Sequence, residues 1–180
     1  ITLLNDRLGE TIVFPLLPFL LERFTSSGST LVLPAGTYAI SQFAVAPLIG
    51  ALSDRFGRKP VIITCVSGSV LGLFLFAITV SINWLNFLPV WAASLPLMLL
   101  FSARIIDGAS GGTAATATAV LADISTPENR AKTFGLIGVA FGLGFILGPG
   151  LGTALARFNV TLPVWAATVF ALANLALVIW

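Results

Sequence analysis

The chain has 180 residues, 57% of them hydrophobic and 9% charged, with a mean hydropathy of +1.04. Soluble domains carry about 25% charged residues, so few charges cannot cover the surface of a water-soluble fold, and the composition reads as an integral membrane protein. The formal net charge of +2 lacks the clustered basic face that nucleic acid binding requires, and the absence of His removes imidazole proton relays and His-based metal sites.

Six apolar segments follow one another at residues 1–21, 31–52, 61–82, 97–122, 134–156 and 162–180. About 20 residues of helix cross a hydrocarbon core of ~30 Å, and backbone groups in lipid must be satisfied within the segment, so each is expected to be a spanning helix. The chain begins at Ile1 without a basic leader and stops at Trp180 inside an apolar run; both ends read as cut, and the expectation is the N-terminal half of a longer protein.

The first segment carries Asp6, Arg7 and Glu10. A charge at the bilayer centre costs about 2.5–3.5 kcal/mol on insertion scales, so such residues default to function. Asp6 and Glu10 are four apart and share a helix face. Between the second and third segments lies Gly50-Ala51-Leu52-Ser53-Asp54-Arg55-Phe56-Gly57-Arg58-Lys59-Pro60, read as a polar loop that fixes one membrane face. The third segment holds the single cysteine, Cys65, which reads as a small buried hydrophobe. The fourth holds Arg104 and Asp107, three apart on one face, followed by Gly108, Gly111 and Gly112, and ends at Asp123. Both charged faces are expected to point into a common cavity, with mutual neutralisation in a purely structural network as the alternative. The fifth contains Gly135, Gly144, Gly148, Pro149 and Gly152; small residues at such spacing let helices approach closely, and Pro149 removes a backbone donor and bends the helix.

Basic residues set orientation. Arg55, Arg58, Lys59, Arg130 and Lys132 fall on one side, and Arg23 and Arg157 on the other. Five against two places the N-terminus in the cytoplasm, with Trp84, Trp91 and Trp165 near the outer face. Two internal similarities appear. Residues 88–93 recur as 162–167, which reads as a shared interfacial anchor. Pro47, Gly50, Arg55 and Phe56 match Pro149, Gly152, Arg157 and Phe158 at one constant offset, pairing the second segment with the fifth as inverted three-plus-three repeats would.

The segment from Gly50 to Pro60 resembles, at every specified position, the G-x-L-x-D-R-x-G-R-K-P loop of the major facilitator superfamily. Asp6, Gly9, Pro15 and Pro18 resemble the first-span pattern of its proton-coupled drug-efflux branch, which includes the tetracycline antiporters. Gly135, Gly144, Gly148, Pro149 and Gly152 resemble that branch's antiporter motif, with Thr153 in place of its last Gly. The resemblance implies an all-α membrane fold of six helices forming one half of a twelve-helix transporter. It implies proton-coupled export of a lipophilic drug-like compound by alternating access at the plasma membrane. It assigns the cavity carboxylate to Asp6 and links Arg104 to coupling, while Arg7, Glu10 and Asp107 add charges there. It makes Asp54, Arg58, Asp123 and Arg130, with Gly50, Arg55, Gly57 and Lys59 around them, a conformational latch. The expected partners are a small-molecule substrate, protons, the lipid bilayer and the protein's own C-terminal half. No cofactor or metal is expected; a proton gradient supplies the drive.

Two other readings stand beside this one. An importer of a sugar or organic acid shares the loop at Gly50–Pro60, but its polar candidates, Asn5, Gln42 and Thr113, are sparse. A six-span interaction protein without transport is the alternative from another class. A membrane enzyme is disfavoured, because no nucleophile–base pair is available. Phe14, Tyr38, Phe43 and Phe141 are candidate aromatics for an apolar pocket.

Overall fold

The computed structural model describes residues 1–22, 24, 28–82, 84 and 94–180. Arg23, Trp91 and the 88–93 copy of the internal similarity lie outside the described residues. The helices are α1 (Thr2–Val13), α2 (Leu17–Leu21), α3 (Gly28–Phe56), α4 (Arg58–Ser81), α5 (Leu95–Ala109), α6 (Thr113–Asp123), α7 (Arg130–Ala156) and α8 (Leu162–Ile179). Four stretches are long and apolar enough to cross a membrane unbroken: Leu33–Phe56, Arg58–Ser81, Arg130–Ala156 and Leu162–Ile179.

The first and fourth segments, expected as single helices, are each in two pieces. A 3-10 turn at Phe14–Leu16 separates α1 from α2, where Pro15 and Pro18 remove backbone donors. Ser110–Gly112 separate α5 from α6; the Gly111 amide there bonds the Gly108 carbonyl, a tightened i→i+3 link. Adjacent glycines lower helix propensity by about 1 kcal/mol each, and neighbours compensate: the Gln42 side-chain amide on α3 donates to the Gly111 carbonyl at 3.1 Å.

The polar loop also differs from expectation. Helix runs through both of its ends, and Gly57, at φ +93°, is the single non-helical residue between α3 and α4. A hydropathy boundary marks where the apolar run ends, not where helical hydrogen bonding ends, so α3 extends four residues past the expected Leu52. Asp54 therefore sits in a C-terminal helical turn, and Arg58 and Lys59 in an N-terminal one. Both placements oppose the helix dipole, so local helix stability does not account for them.

The core gathers Ile12, Leu20 and Leu21 with Phe76, Leu100 and Val164, all fully buried. Outward faces stay apolar, as at Phe43, Leu71, Ile146 and Val169, which suits lipid rather than water. The main helix contacts are α1 with α7 and α8, then α5 with α3 and α4, and also α4 with α8. Exchanging first with fourth, second with fifth and third with sixth segments maps the first set onto the second, the pattern of an inverted repeat. The pairing of second and fifth segments read from the offset similarity fits this exchange. At the end opposite Gly57, the Trp165 indole donates to Ser81 at 3.0 Å and stacks edge-on against Phe74. The Trp84 indole donates to the Thr79 carbonyl at 2.8 Å.

Candidate functional site

Five ionisable side chains of α1 and α5 face the inside of the bundle, the three acids around one cavity. Arg7 lies between two acids of its own helix, 2.9 Å from Asp6 and ion-paired with Glu10 one turn on. Arg104 pairs with Asp107 at 3.4 Å, the two side chains only 5% and 8% exposed. Each guanidinium also faces an aromatic ring from another helix: Arg7 lies 5.2 Å from the Phe141 centroid, and Arg104 lies 4.5 Å from Phe76 and 6.0 Å from Tyr38. A cation over a ring face is attracted by its quadrupole, by about 2 kcal/mol when desolvated.

Asp6, Glu10 and Asp107 line one small cavity together with Asn5, Ser69 and Asn174. Two of its polar residues, Ser69 and Asn174, lie in runs that read as apolar and were not singled out from sequence. A signal for the cluster itself was available: Arg7-x-x-Glu10 recurs as Arg104-x-x-Asp107, both members shifted by 97 (104 − 7 and 107 − 10). The matched pairs occupy the first and fourth segments, which the contact pattern exchanges. Asp6 is the acid without a counterpart, since Ala103 stands at the equivalent position.

The glycines of α7 set the approach of α1. A Cβ at Gly144 would lie 2.8 Å from the Arg7 Cβ, one at Gly148 would lie 2.7 Å from the Thr11 Cβ, and one at Gly152 would overlap the Ile12 carbonyl. The Thr11 hydroxyl completes the contact by donating across the interface to the Gly144 carbonyl at 2.8 Å. Gly135 takes no part, because nothing lies within 4 Å of its Cβ position. The helix runs on through Pro149, and the Thr153 hydroxyl donates to the Pro149 carbonyl at 2.9 Å.

At the Gly57 end, Arg58 is the hub. It meets Asp54 at 2.7 Å and Asp123 at 3.1 Å, and donates to the Ser53 hydroxyl at 3.1 Å. The expected latch residues Arg130 and Arg55 are not part of it: among the described residues neither makes an ion pair. Arg55 lies 5.4 Å from the Phe56 ring, and Lys59 donates to the Ile179 carbonyl at 3.4 Å. Nothing lies within 4 Å of a Cβ at Gly50. In the turn before α7, its own backbone amide and the Thr126 hydroxyl hold the Glu128 carboxyl below the usual range. A carboxylate there favours the start of α7.

Of the other residues singled out, Gln42 is bonded to the Gly111 carbonyl, Thr113 is fully buried, Phe14 and Phe43 are exposed, and Cys65 is a buried free thiol.

Known proteins share the fold. The Major Facilitator Superfamily profile matches residues 1–180. The chain is 38% identical to the class C tetracycline resistance protein of Escherichia coli over 180 residues, which is 98% of this chain and 41% of that protein. It is 34% identical to multidrug resistance protein 2 of Bacillus subtilis, over 92% of this chain and 38% of that protein. A crystal structure described as the human organic anion transporter MFSD10 (TETRAN) superposes with a TM-score of 0.76 at 30% identity, covering 98% of this chain and 44% of that one. The chain thus spans about two fifths of the length of the curated relatives it matches, and its fold is that of one half of a facilitator-type transporter in a multi-pass membrane protein. This chain belongs to the Major Facilitator Superfamily.

Proposed function

We propose that the full-length protein is a secondary active transporter that exports a lipophilic compound in exchange for protons. The observation that carries this reading is the buried cluster at α1 and α5, where three carboxylates face two guanidiniums. The matched Arg-x-x-acid pairs balance one another, which leaves Asp6 as the surplus acid in a site that lipid cannot solvate. Buried ion pairs stabilise poorly, so a five-charge cluster is better explained by work on a proton than by fold stability. A proton on the surplus acid removes the net charge, and its loss restores it, so the charge state can bias two conformations of near-equal energy. The names of the tetracycline and multidrug resistance relatives support a drug-like substrate.

In this reading the N-terminus is cytoplasmic, the gradient is the only energy source, no cofactor takes part, and the substrate path lies between this domain and a C-terminal half. The Arg58 hub holds the ends of α3, α4 and α6 together in one state and parts in the other. Exposed pairs are worth about 0.2–1 kcal/mol each, a suitable scale for a latch that must open. Asp54→Asn is therefore expected to slow drug-driven flux about two- to fivefold while membrane abundance, measured on immunoblots, stays at the wild-type level. Unchanged flux would remove the latch.

The test of the reading is proton movement in energised inside-out vesicles containing the full-length protein, with a panel of lipophilic drugs added. Drug-triggered collapse of the pH gradient is expected, and Asp6→Asn is expected to abolish it while drug binding persists. A response to a sugar or organic acid alone would overturn it in favour of import. The description of the human structure favours organic anions as a second substrate class, and the same panel should include them. Each buried guanidinium is ion-paired with a carboxylate, while Arg7 Nε and Arg104 Nε and Nη2 have no hydrogen-bond partner.

A further inference from the structure

A second cavity, of about 420 Å³, lies between α3 and α4 towards Gly57. Ile49, Leu52 and Phe56 wall it from α3 and Val61 and Thr64 from α4, with Ala109 of α5 completing it. The three α3 residues fall three and four apart, on one helix face. No charged side chain lines the cavity. Leu52 and Phe56 remain 45% and 61% exposed, so it opens on the side of the bundle, within reach of a molecule dissolved in the bilayer. Its volume falls within the roughly 300–1,000 Å³ of small-molecule sites.

The charge at its mouth does not balance. Arg55, Arg58 and Lys59 stand there with Asp54 and Asp123, three cations to two acids. Arg58 takes both acids, and Lys59 is turned away to the Ile179 carbonyl of α8. Arg55 is left over. It follows Leu52 by three residues, makes no ion pair among the described residues, and its guanidinium lies 5.4 Å from the ring of Phe56, which lines the cavity. An apolar cavity beside an unpaired cation is complementary to an anion with an apolar tail. The planar guanidinium fork matches a carboxylate, and the single cavity takes a single chain.

We propose that this cavity binds one long-chain fatty acid, its hydrocarbon chain between α3 and α4 and its carboxylate on Arg55. The site is separate from the buried charges, and it stands whether or not the protein exchanges protons.

Photolabelling of the full-length protein in phosphatidylcholine nanodiscs tests it, with palmitate carrying a diazirine on its chain and mass spectrometry of the labelled peptides. Saturable labelling within residues 49–65 is expected, displaced by palmitate but not by its methyl ester, which has the chain without the charge. Arg55→Gln is expected to weaken the labelling by up to about fivefold. Thr64→Trp, at an exposed position, fills the cavity and should abolish it; thermal unfolding checks that each variant is folded. Displacement by phosphatidylglycerol as effective as that by palmitate would give the cavity to a bilayer phospholipid and overturn the proposal. Equal competition by the methyl ester, labelling unchanged in either folded variant, or no saturable labelling of this segment would overturn it as well.

Discussion

Arg104→Ala should eliminate drug-triggered proton movement in vesicles and lower the thermal midpoint of the detergent-solubilised protein. Arg104 is 4% exposed, pairs with Asp107 at 3.4 Å and lies over the Phe76 ring. Removing it strands a buried carboxylate, and breaking a buried pair by deleting one partner costs about 3–5 kcal/mol. Arg104→Lys retains charge but loses the planar contact with Phe76, since an ammonium is a compact, strongly hydrated point charge; an intermediate midpoint is expected. The double change Arg104→Ala with Asp107→Asn removes both charges and should recover much of the lost stability. Coupling should stay absent in the double variant. Full coupling in Arg104→Ala would show that the pair has no part in moving protons.

Gly148→Val is expected to have a smaller but clear effect on stability through packing alone. Its Cβ would lie 2.7 Å from the Thr11 Cβ and 3.0 Å from the Thr11 carbonyl carbon, and backbone cannot move aside as a flexible side-chain end can. Overpacking costs about 1–3 kcal/mol, and helices in lipid have little besides close packing and hydrogen bonds to hold them together. The α1–α7 contact, including the Thr11 bond to Gly144, should open, and the thermal midpoint should fall. Gly138→Ala on the same helix is the control. Nothing lies within 4 Å of its Cβ position, and Ala is favoured over Gly in a helix interior by about 1 kcal/mol, so its midpoint should hold or rise. Equal effects at the two positions would mean that close approach at Gly148 does not set the interface.

Much of this was legible in the residues. Charges inside apolar runs are rare enough that Asp6, Arg7, Glu10, Arg104 and Asp107 stood out at once, and the structure brings all five together. The three glycines of α7 that bury against α1 carried the right spacing. Asn174 and Ser69 are lone polar residues in long apolar runs, where hydropathy averages them away; only the third dimension aims them at the carboxylates. The Arg-x-x-acid repeat was available to inspection but involves two matched positions separated by 97 residues, too sparse to notice without knowing that the segments exchange. The ion pairs at the Gly57 end involve fewer residues than the sequence suggests. Arg130 and Arg55 carry the right charge, but charge alone does not determine which cation reaches a carboxylate; Arg58 does because Gly57 starts a new helix immediately before it.

The interruption at Ser110–Gly112 puts a joint between Arg104 and Asp123. Arg104 and Asp123 belong to one membrane segment, so a continuous rod would pass any tilt at one end directly to the other. Here the rod is jointed, and the joint is clasped from the side: Gln42 holds the Gly111 carbonyl, and Ile49 fills the space beside Gly112. The joint between α5 and α6 is thereby tied sideways to α3. That neighbouring helix also carries Tyr38, whose ring lies 6.0 Å from the Arg104 guanidinium, so the joint and the buried charges share one supporting helix.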